Sequence, residues 1–239
     1  MIAALIFAGG TGVRMHTTGI PKQFLKIYGK PIIAYTIEHF QNHHLIDKII
    51  VVSVSTHLNL MEELVRYYRL TKVSNIVAGG KTGQESIWNG LKVIKEFTDD
   101  DDIVLIHDGV RPVITEQLIT DNIESVRKHG NGISACFAWE TICQAEKPHV
   151  IGHVLPRQKC LLAKAPQSFK IREIVEAHMK AMSDGVTSEV DSASLMSHYG
   201  HTLHYVPCDP SNIKITNPVD FYLFKGMLAA QESMQIIGL

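Results

Sequence analysis

Apolar and polar positions along this chain follow two rhythms. Met1 to Phe7, Lys48 to Ser55 and Ile103 to Ile106 are apolar runs of strand length, the pattern of strands covered on both faces. Between them the apolar residues recur at helical spacing. Ile32, Ile33, Tyr35, Thr36, Ile37 and Phe40 form a stripe that Pro31 can open and that ends near residue 42; Leu58 to Tyr68 is the next helix. Gln23 to Ile27 is a short apolar segment turned by Gly29-Lys30-Pro31, and Asn75 to Ala78 is a short strand that stops at Gly79-Gly80. Ile87, Leu91 and Ile94 mark a further helix, Gln117 to His129 another, and Gly132 to Ala138 a strand. The alternation predicts an α/β fold, a mainly parallel twisted sheet with helices on both faces. Ligands then belong at the carboxyl ends of the strands, where the glycine turns after Phe7 and Ala78 both fall.

From Trp139 to Lys164 the rhythm changes. Thr141, Val150, Val154 and Leu155 alternate loosely with polar residues, and Pro148 and Pro156 exclude a helix, so residues 139–164 predict a hairpin arm on a single domain spanning 1–239. Ala165-Pro166-Gln167-Ser168-Phe169 is read as opening a helix that runs to about Met182, and Thr187 to Gly200 carries another. His201 to Pro207 and Ser211 to Thr216 are read as strands. Asn217-Pro218-Val219-Asp220 starts a C-terminal helix, apolar through Met227.

Composition narrows the function. The 239 residues are 45% hydrophobic and 20% charged, ordinary for a soluble protein, and no apolar stretch approaches a membrane span. Lys plus Arg total 23 against 24 Asp plus Glu, so no basic excess draws nucleic acid and anion binding must come from local clusters. The 13 histidines are scattered, without a His-Glu-x-x-His pair of ligands. Cys136, Cys143, Cys160 and Cys208 show no C-x-x-C spacing, and no signal segment is present at the start; both point to a reduced, cytoplasmic protein. Asp99 to Asp102 reads as a solvated turn.

Three places carry chemistry. The first strand runs into Ala8-Gly9-Gly10-Thr11-Gly12-Val13-Arg14, followed by Pro21-Lys22-Gln23. Glycines without a Cβ let backbone N–H groups approach a phosphate, and Arg14 and Lys22 add fixed positive charge. No Gly-Lys-Ser/Thr closes a P-loop, and the third glycine of the dinucleotide fingerprint is missing. The second place is His107-Asp108-Gly109-Val110-Arg111-Pro112 at the end of a buried strand. Asp108 there can hold Mg2+ or a substrate hydroxyl, and Arg111 can grip a phosphate through both its nitrogens. The third is Ile213-Lys214-Ile215, where a lysine between isoleucines is a poor core residue unless its ammonium meets an anion. Ser86, after Gly79-Gly80, is read as a helix N-cap, with an anion or the polar edge of a base as the other reading.

Gly-Gly-Thr-Gly-x-Arg-Met followed by Pro-Lys-Gln resembles the nucleotidyltransferases that join a nucleoside triphosphate to a sugar phosphate, which implies a Rossmann-like fold. Within them the chain is similar to the cytidylyltransferases acting on methylerythritol phosphate or ribitol phosphate, in five ordered motifs from Phe7 to Asp220. The resemblance implies catalytic roles for Arg14, Lys22 and Lys214. It places CTP against the backbone from Ala8 through Gly9, Gly10, Thr11 and Gly12, and against Gly80 and Ser86, with Mg2+ held mainly by the CTP phosphates. Asp108, Arg111, Thr141 and Arg157 would position the polyol phosphate, the last two from an arm that interlocks two subunits of a homodimer. Gly83 stands where the family often has a basic residue, and Val190-Asp191 replaces its Thr-Asp, leaving Ser188 as a weak substitute. Val110, Val190 and the seven residues from Met15 to Pro21 favour ribitol phosphate over methylerythritol phosphate. A non-catalytic module that kept the fold would shed cations at one of the three places, and all three keep theirs.

Overall fold

The computed structural model describes residues 1–9 and 20–237, with side chains through residue 233. In chain order it forms β1 (Ile2–Ala8), β2 (Lys26–Ile27), β3 (Lys30–Pro31), α1 (Ile32–Asn42), β4 (Lys48–Ser53), α2 (Leu58–Tyr67), β5 (Val73–Ala78), α3 (Gly83–Lys95) and β6 (Ile103–Asp108). There follow α4 (Glu116–His129), β7 (Asn131–Phe137), β8 (Ile142–Lys147), β9 (Val150–Leu155), β10 (Leu161–Lys170), α5 (Ile171–Asp184), α6 (Ser192–His198), β11 (Tyr205–Pro207) and α7 (Pro218–Ile237).

A seven-stranded sheet in the order β11-β7-β10-β6-β1-β4-β5 forms the middle layer. Four of its six pairings are parallel, and β10 runs antiparallel to both β6 and β7. The unbroken apolar runs follow from this position. Along β1, Ile2, Ala4, Ile6 and Ala8 join a core with α1, α2 and α4, while Ala3 and Leu5 join a second core with α3, α5 and α6 on the opposite face. A smaller cluster of Ile27, Ile32, Val110, Ile215 and Phe224 seats α7 beside the end of β6. Gly90 lets α3 lie close on the sheet, because a Cβ there would stand 2.2 Å from Leu5 Cδ1. Among the described residues no helix is long and apolar enough to cross a membrane.

Two expected elements differ. Ala165 to Phe169 belongs to β10 and the helix begins only at Ile171. Pro166 falls where the β10–β7 register shifts between Ala163 and Gln167, so its missing N–H breaks no regular ladder. Ser211 to Thr216 forms no strand. Its backbone is tied instead by single bonds, among them Ile215 N–H to the Val110 carbonyl at 2.8 Å. The arm is a two-stranded sheet of its own, β8 with β9, and every residue of β9 is exposed.

Candidate active site

The chain runs from β1 to β4 and β5 on one side of the sheet, then crosses to β6 on the other. This reversal opens a crevice at the carboxyl ends of the strands. Register keeps those ends level, with Phe7 opposite Asp108, Ala8 opposite Ser53, and Ser53 opposite Ala78. The crevice is a cleft of about 480 Å3. Ala8, Gly9, Lys22, Gly80, Ser86, Asp108 and Lys214, all expected from sequence, line it together. Gly10, Thr11, Gly12 and Arg14 lie outside the described residues.

One wall is the turn between β5 and α3. Thr82, not Ser86, is the N-cap of α3, its hydroxyl accepting the Glu85 N–H at 3.1 Å. Thr82 and Glu85 stand at capping-box spacing, so this cap was readable from sequence. Ser86 sits one turn in, its hydroxyl accepting from Gly80 N–H at 3.0 Å and donating to the Thr82 carbonyl at 2.8 Å. It braces the turn whose amides border the cleft. Gly9 passes directly over it: a Cβ at Gly9 would lie 2.8 Å from Ser86 Oγ and 3.5 Å from Gly79 Cα. A glycine is required there by close approach.

The opposite wall is cationic. Lys22 is buried and its ammonium donates to the Ile215 carbonyl at 2.9 Å. Lys214, the residue before, reaches Asp108 Oδ1 at 2.5 Å and remains 40% exposed at the side chain. Arg111 is buried behind Asp108, its Nε donating to Oδ2 at 3.3 Å and its Nη1 to the Asn212 carbonyl at 2.7 Å. Burial alone would raise the Asp108 carboxyl. The charges of Lys214 and Arg111 outweigh it and hold the group below its ordinary value, so Asp108 is ionised. Next to it, burial pushes His107 down to about 4, neutral against Phe40, with Nε2 on the Arg111 carbonyl at 3.0 Å.

Asp108 is the only carboxylate among the described lining residues, and both its oxygens already face cations. Mg2+ needs carboxylate oxygen at roughly 2.1 Å and keeps its distance from other positive charge. The described residues therefore do not fit a protein-held Mg2+, and Asp108 is better suited to orient Lys214 or a hydroxyl. Arg111 does not line the cleft, being engaged with Asp108 and Asn212. Thr141 and Arg157 are exposed on the arm and do not line it either; Arg157 Nη1 donates to the Trp139 carbonyl at 3.1 Å. Val190 is 91% exposed and Ser188 is exposed, whereas Asp191 caps α6 through Ser194 N–H. Gln23 lines the cleft and was overlooked, although it belongs to the Pro-Lys-Gln motif. Its Nε2 donates to the Ala8 carbonyl at 2.7 Å and fixes the end of β1.

A crevice at the switch point of an α/β sheet, with a glycine turn on one wall and two lysines on the other, defines the nucleotidyltransferase class of enzyme. The chain belongs to the 2-C-methyl-D-erythritol 4-phosphate cytidylyltransferase (IspD) family, whose sequence profile matches residues 2–230. It is 45% identical over 238 residues to the ribitol-5-phosphate cytidylyltransferase of Vibrio parahaemolyticus, with 100% of each chain covered. To the 2-C-methyl-D-erythritol 4-phosphate cytidylyltransferase of Syntrophus aciditrophicus it is 38% identical over 232 residues, with 97% of each covered. The crystal structure of the Francisella tularensis 2-C-methyl-D-erythritol 4-phosphate cytidylyltransferase superposes with a TM-score of 0.76 at 30% identity, over 94% of this chain and 99% of that one.

Proposed function

We propose that this chain transfers CMP from CTP to D-ribitol 5-phosphate, releasing pyrophosphate and forming CDP-ribitol. The observation that carries the reading is the convergence of Lys22 and Lys214, linked through the Ile215 carbonyl, on the cleft bordered by Gly9 and Ser86. A phosphate oxygen of the polyol attacks the α-phosphorus of CTP. The bond from that phosphorus to the bridging oxygen of the β-phosphate breaks, and its electrons leave with pyrophosphate. Charge grows on the nonbridging and leaving oxygens, where cations fixed in place stabilise it more than they stabilise the ground state. Lys22, Lys214 and Arg14 take that role, and a phosphate monoester, already an anion, needs no general base. Mg2+, where bound, would be held by the CTP phosphates rather than by the described side chains, and would add positive charge there. The turn from Gly79 to Ser86 faces the nucleotide, and Asp108 accepts from a polyol hydroxyl. Thr141 and Arg157 serve the polyol phosphate from the arm, across a homodimer, in the cytoplasm.

Support for ribitol comes from the 45% identity, end to end, to an enzyme that carries that substrate in its name, against 38% for one named for methylerythritol phosphate. Val110 also lines the cleft. The second reading, methylerythritol phosphate, is favoured by the name of the family itself. Ribitol phosphate has one hydroxyl more, and a site built to bond it rejects an analogue lacking it by roughly 10⁴-fold. The test is kcat/KM with CTP for the two alcohols side by side. A preference for methylerythritol phosphate would replace the substrate and leave the transfer chemistry in place; no pyrophosphate release with either would overturn the reaction.

A further inference from the structure

The segment that carries Lys214 has no regular structure, so something else must hold it. Side chains do much of this, Lys164, Arg111, Asn212 and Lys22 among them. Lys164 Nζ donates to the Pro210 carbonyl at 2.8 Å and to the Asn212 carbonyl at 3.1 Å, and Arg111 Nη1 shares the Asn212 carbonyl at 2.7 Å. Asn212 Nδ2 donates to the Ala165 carbonyl at 2.7 Å, and Lys22 holds the Ile215 carbonyl at 2.9 Å. Lys22 and Arg111 already belong to the site. Lys164 does not line the cleft, yet it is buried in β10, at the root of the arm, with the Trp139 ring 5.9 Å from its ammonium.

Burying an ammonium is costly, and among the described residues Lys164 forms no ion pair to offset it: its two bonds go to neutral carbonyls. Burial lowers its pKa, the neighbouring Cys136, Cys208 and Asp209 push it back up, and the Arg111 charge lowers it further. As a stabilising device this is poor, since an apolar side chain of the same length would fill the space without the desolvation. Its geometric effect is specific. Lys164 fixes the carbonyls two and four residues ahead of Lys214, and so sets where the Lys214 ammonium falls relative to Asp108.

We propose that Lys164 is a positioning residue of the transfer reaction: by clamping Pro210 and Asn212 it holds Lys214 in the cleft against Asp108, and it couples that placement to the root of the arm. The proposal rests on the cytidylyl-transfer reading above for its kinetic consequence and on geometry alone for its structural one. Lys164→Met keeps the aliphatic stem and removes the charge. Lys164→Arg keeps a cation able to reach both carbonyls.

Two measurements on the full-length protein test it. In amide hydrogen exchange, Lys164→Met raises the exchange rate at residues 211–215 at least tenfold, the Ile215 amide included, while β1 and β6 keep their protection and the thermal midpoint does not fall. In steady-state assays of pyrophosphate release from CTP and ribitol 5-phosphate, Lys164→Met lowers kcat at least tenfold with KM for CTP within twofold of wild type, and Lys164→Arg restores most of it. Unchanged exchange at residues 211–215, wild-type kcat in Lys164→Met, or loss of activity only in step with loss of fold would each overturn the proposal. Wild-type protein that releases no pyrophosphate with either polyol phosphate refutes the functional reading instead, and the exchange measurement then decides the clamp by itself.

Discussion

Lys214 brings its ammonium to 2.5 Å from Asp108 Oδ1, joining an irregular segment near the C-terminus to the end of a central strand. Asp108 is buried and ionised, while the Lys214 side chain is 40% exposed and lines the cleft, so the charge more open to the cleft is the lysine's.

Lys214→Ala and Lys22→Ala should each lower kcat with little change in KM for CTP, because their contacts strengthen as charge builds at the α-phosphorus. Loss of one such donor costs about 3 kcal/mol, or roughly a hundredfold in rate. Arg14→Ala is expected to behave alike. Since Lys22 also braces Ile215, the Lys22 and Lys214 substitutions should combine to less than the sum of their separate effects. Full turnover at saturating CTP in either single variant would remove that residue from the reaction, and strict additivity would remove the coupling.

The legible parts of this fold are those whose neighbours in sequence decide them. β1, β4 and β6 are apolar on both faces, and the two helical layers show at their own period, so the parallel core followed from pattern alone. β10 was hidden because Pro166 reads as a helix start, and what admits it to a strand is a register shift against β7 that only the tertiary pairing creates. Residues 213–215 alternate as a strand would, yet their backbone is bonded by Val110 and Lys22 from elsewhere in the chain. In the site, Lys22 was visible as a cation beside a glycine turn, Asp108 as a carboxylate at the end of a buried strand, and Lys214 as a charge misplaced for a core. Arg111 was visible as well, but its engagement with Asn212 was not, because nothing local to Arg111 specifies a carbonyl that lies 101 residues away.

Gly9→Ala should weaken nucleotide binding more than it weakens the fold. The added methyl would meet Ser86 Oγ at 2.8 Å, and relieving it means moving the hydroxyl that holds the Gly80 amide. Overpacking of this kind costs about 1–3 kcal/mol, enough for a rise in KM for CTP of roughly tenfold or more. Gly226→Ala, on α7 with open space around it, is the matched control. Equal KM in both variants would show that Ser86 and the β5–α3 turn do not border the nucleotide.

The arm should join two copies of this chain. Ile151 and Val154 are each 64% exposed on a two-stranded sheet, and an isolated hairpin of this size has no core to keep it folded in water. Sedimentation at micromolar concentration should give a homodimer, and Ile151→Glu with Val154→Glu a monomer that has lost activity toward the polyol phosphate. A monomeric wild-type protein with full activity would contradict both the interface and the reach of Thr141 and Arg157 across it.

Stability should fall on mild acidification, before the carboxylates titrate. His178 is buried with its ring stacked on Trp88 at 5.7 Å, its Nε2 has no hydrogen-bond partner among the described residues, and burial lowers its pKa to about 4; His107 is lowered to about 4 as well. Both are neutral in the fold at pH 7. In the unfolded chain each takes up a proton near its ordinary value of about 6.5, so between there and about 4 the unfolded state binds more protons and acid favours it. Each histidine thus subtracts about 1.4 kcal/mol of stability per pH unit in that window, and nothing above it. Urea unfolding at pH 7, 6 and 5 should show this decline, and His178→Leu, which removes one of the histidines held down by burial, should reduce its slope by up to about 1.4 kcal/mol per pH unit. A slope in the variant equal to that of the wild type would mean that His178 is protonated in the fold, and that the burial of its ring does not govern its charge.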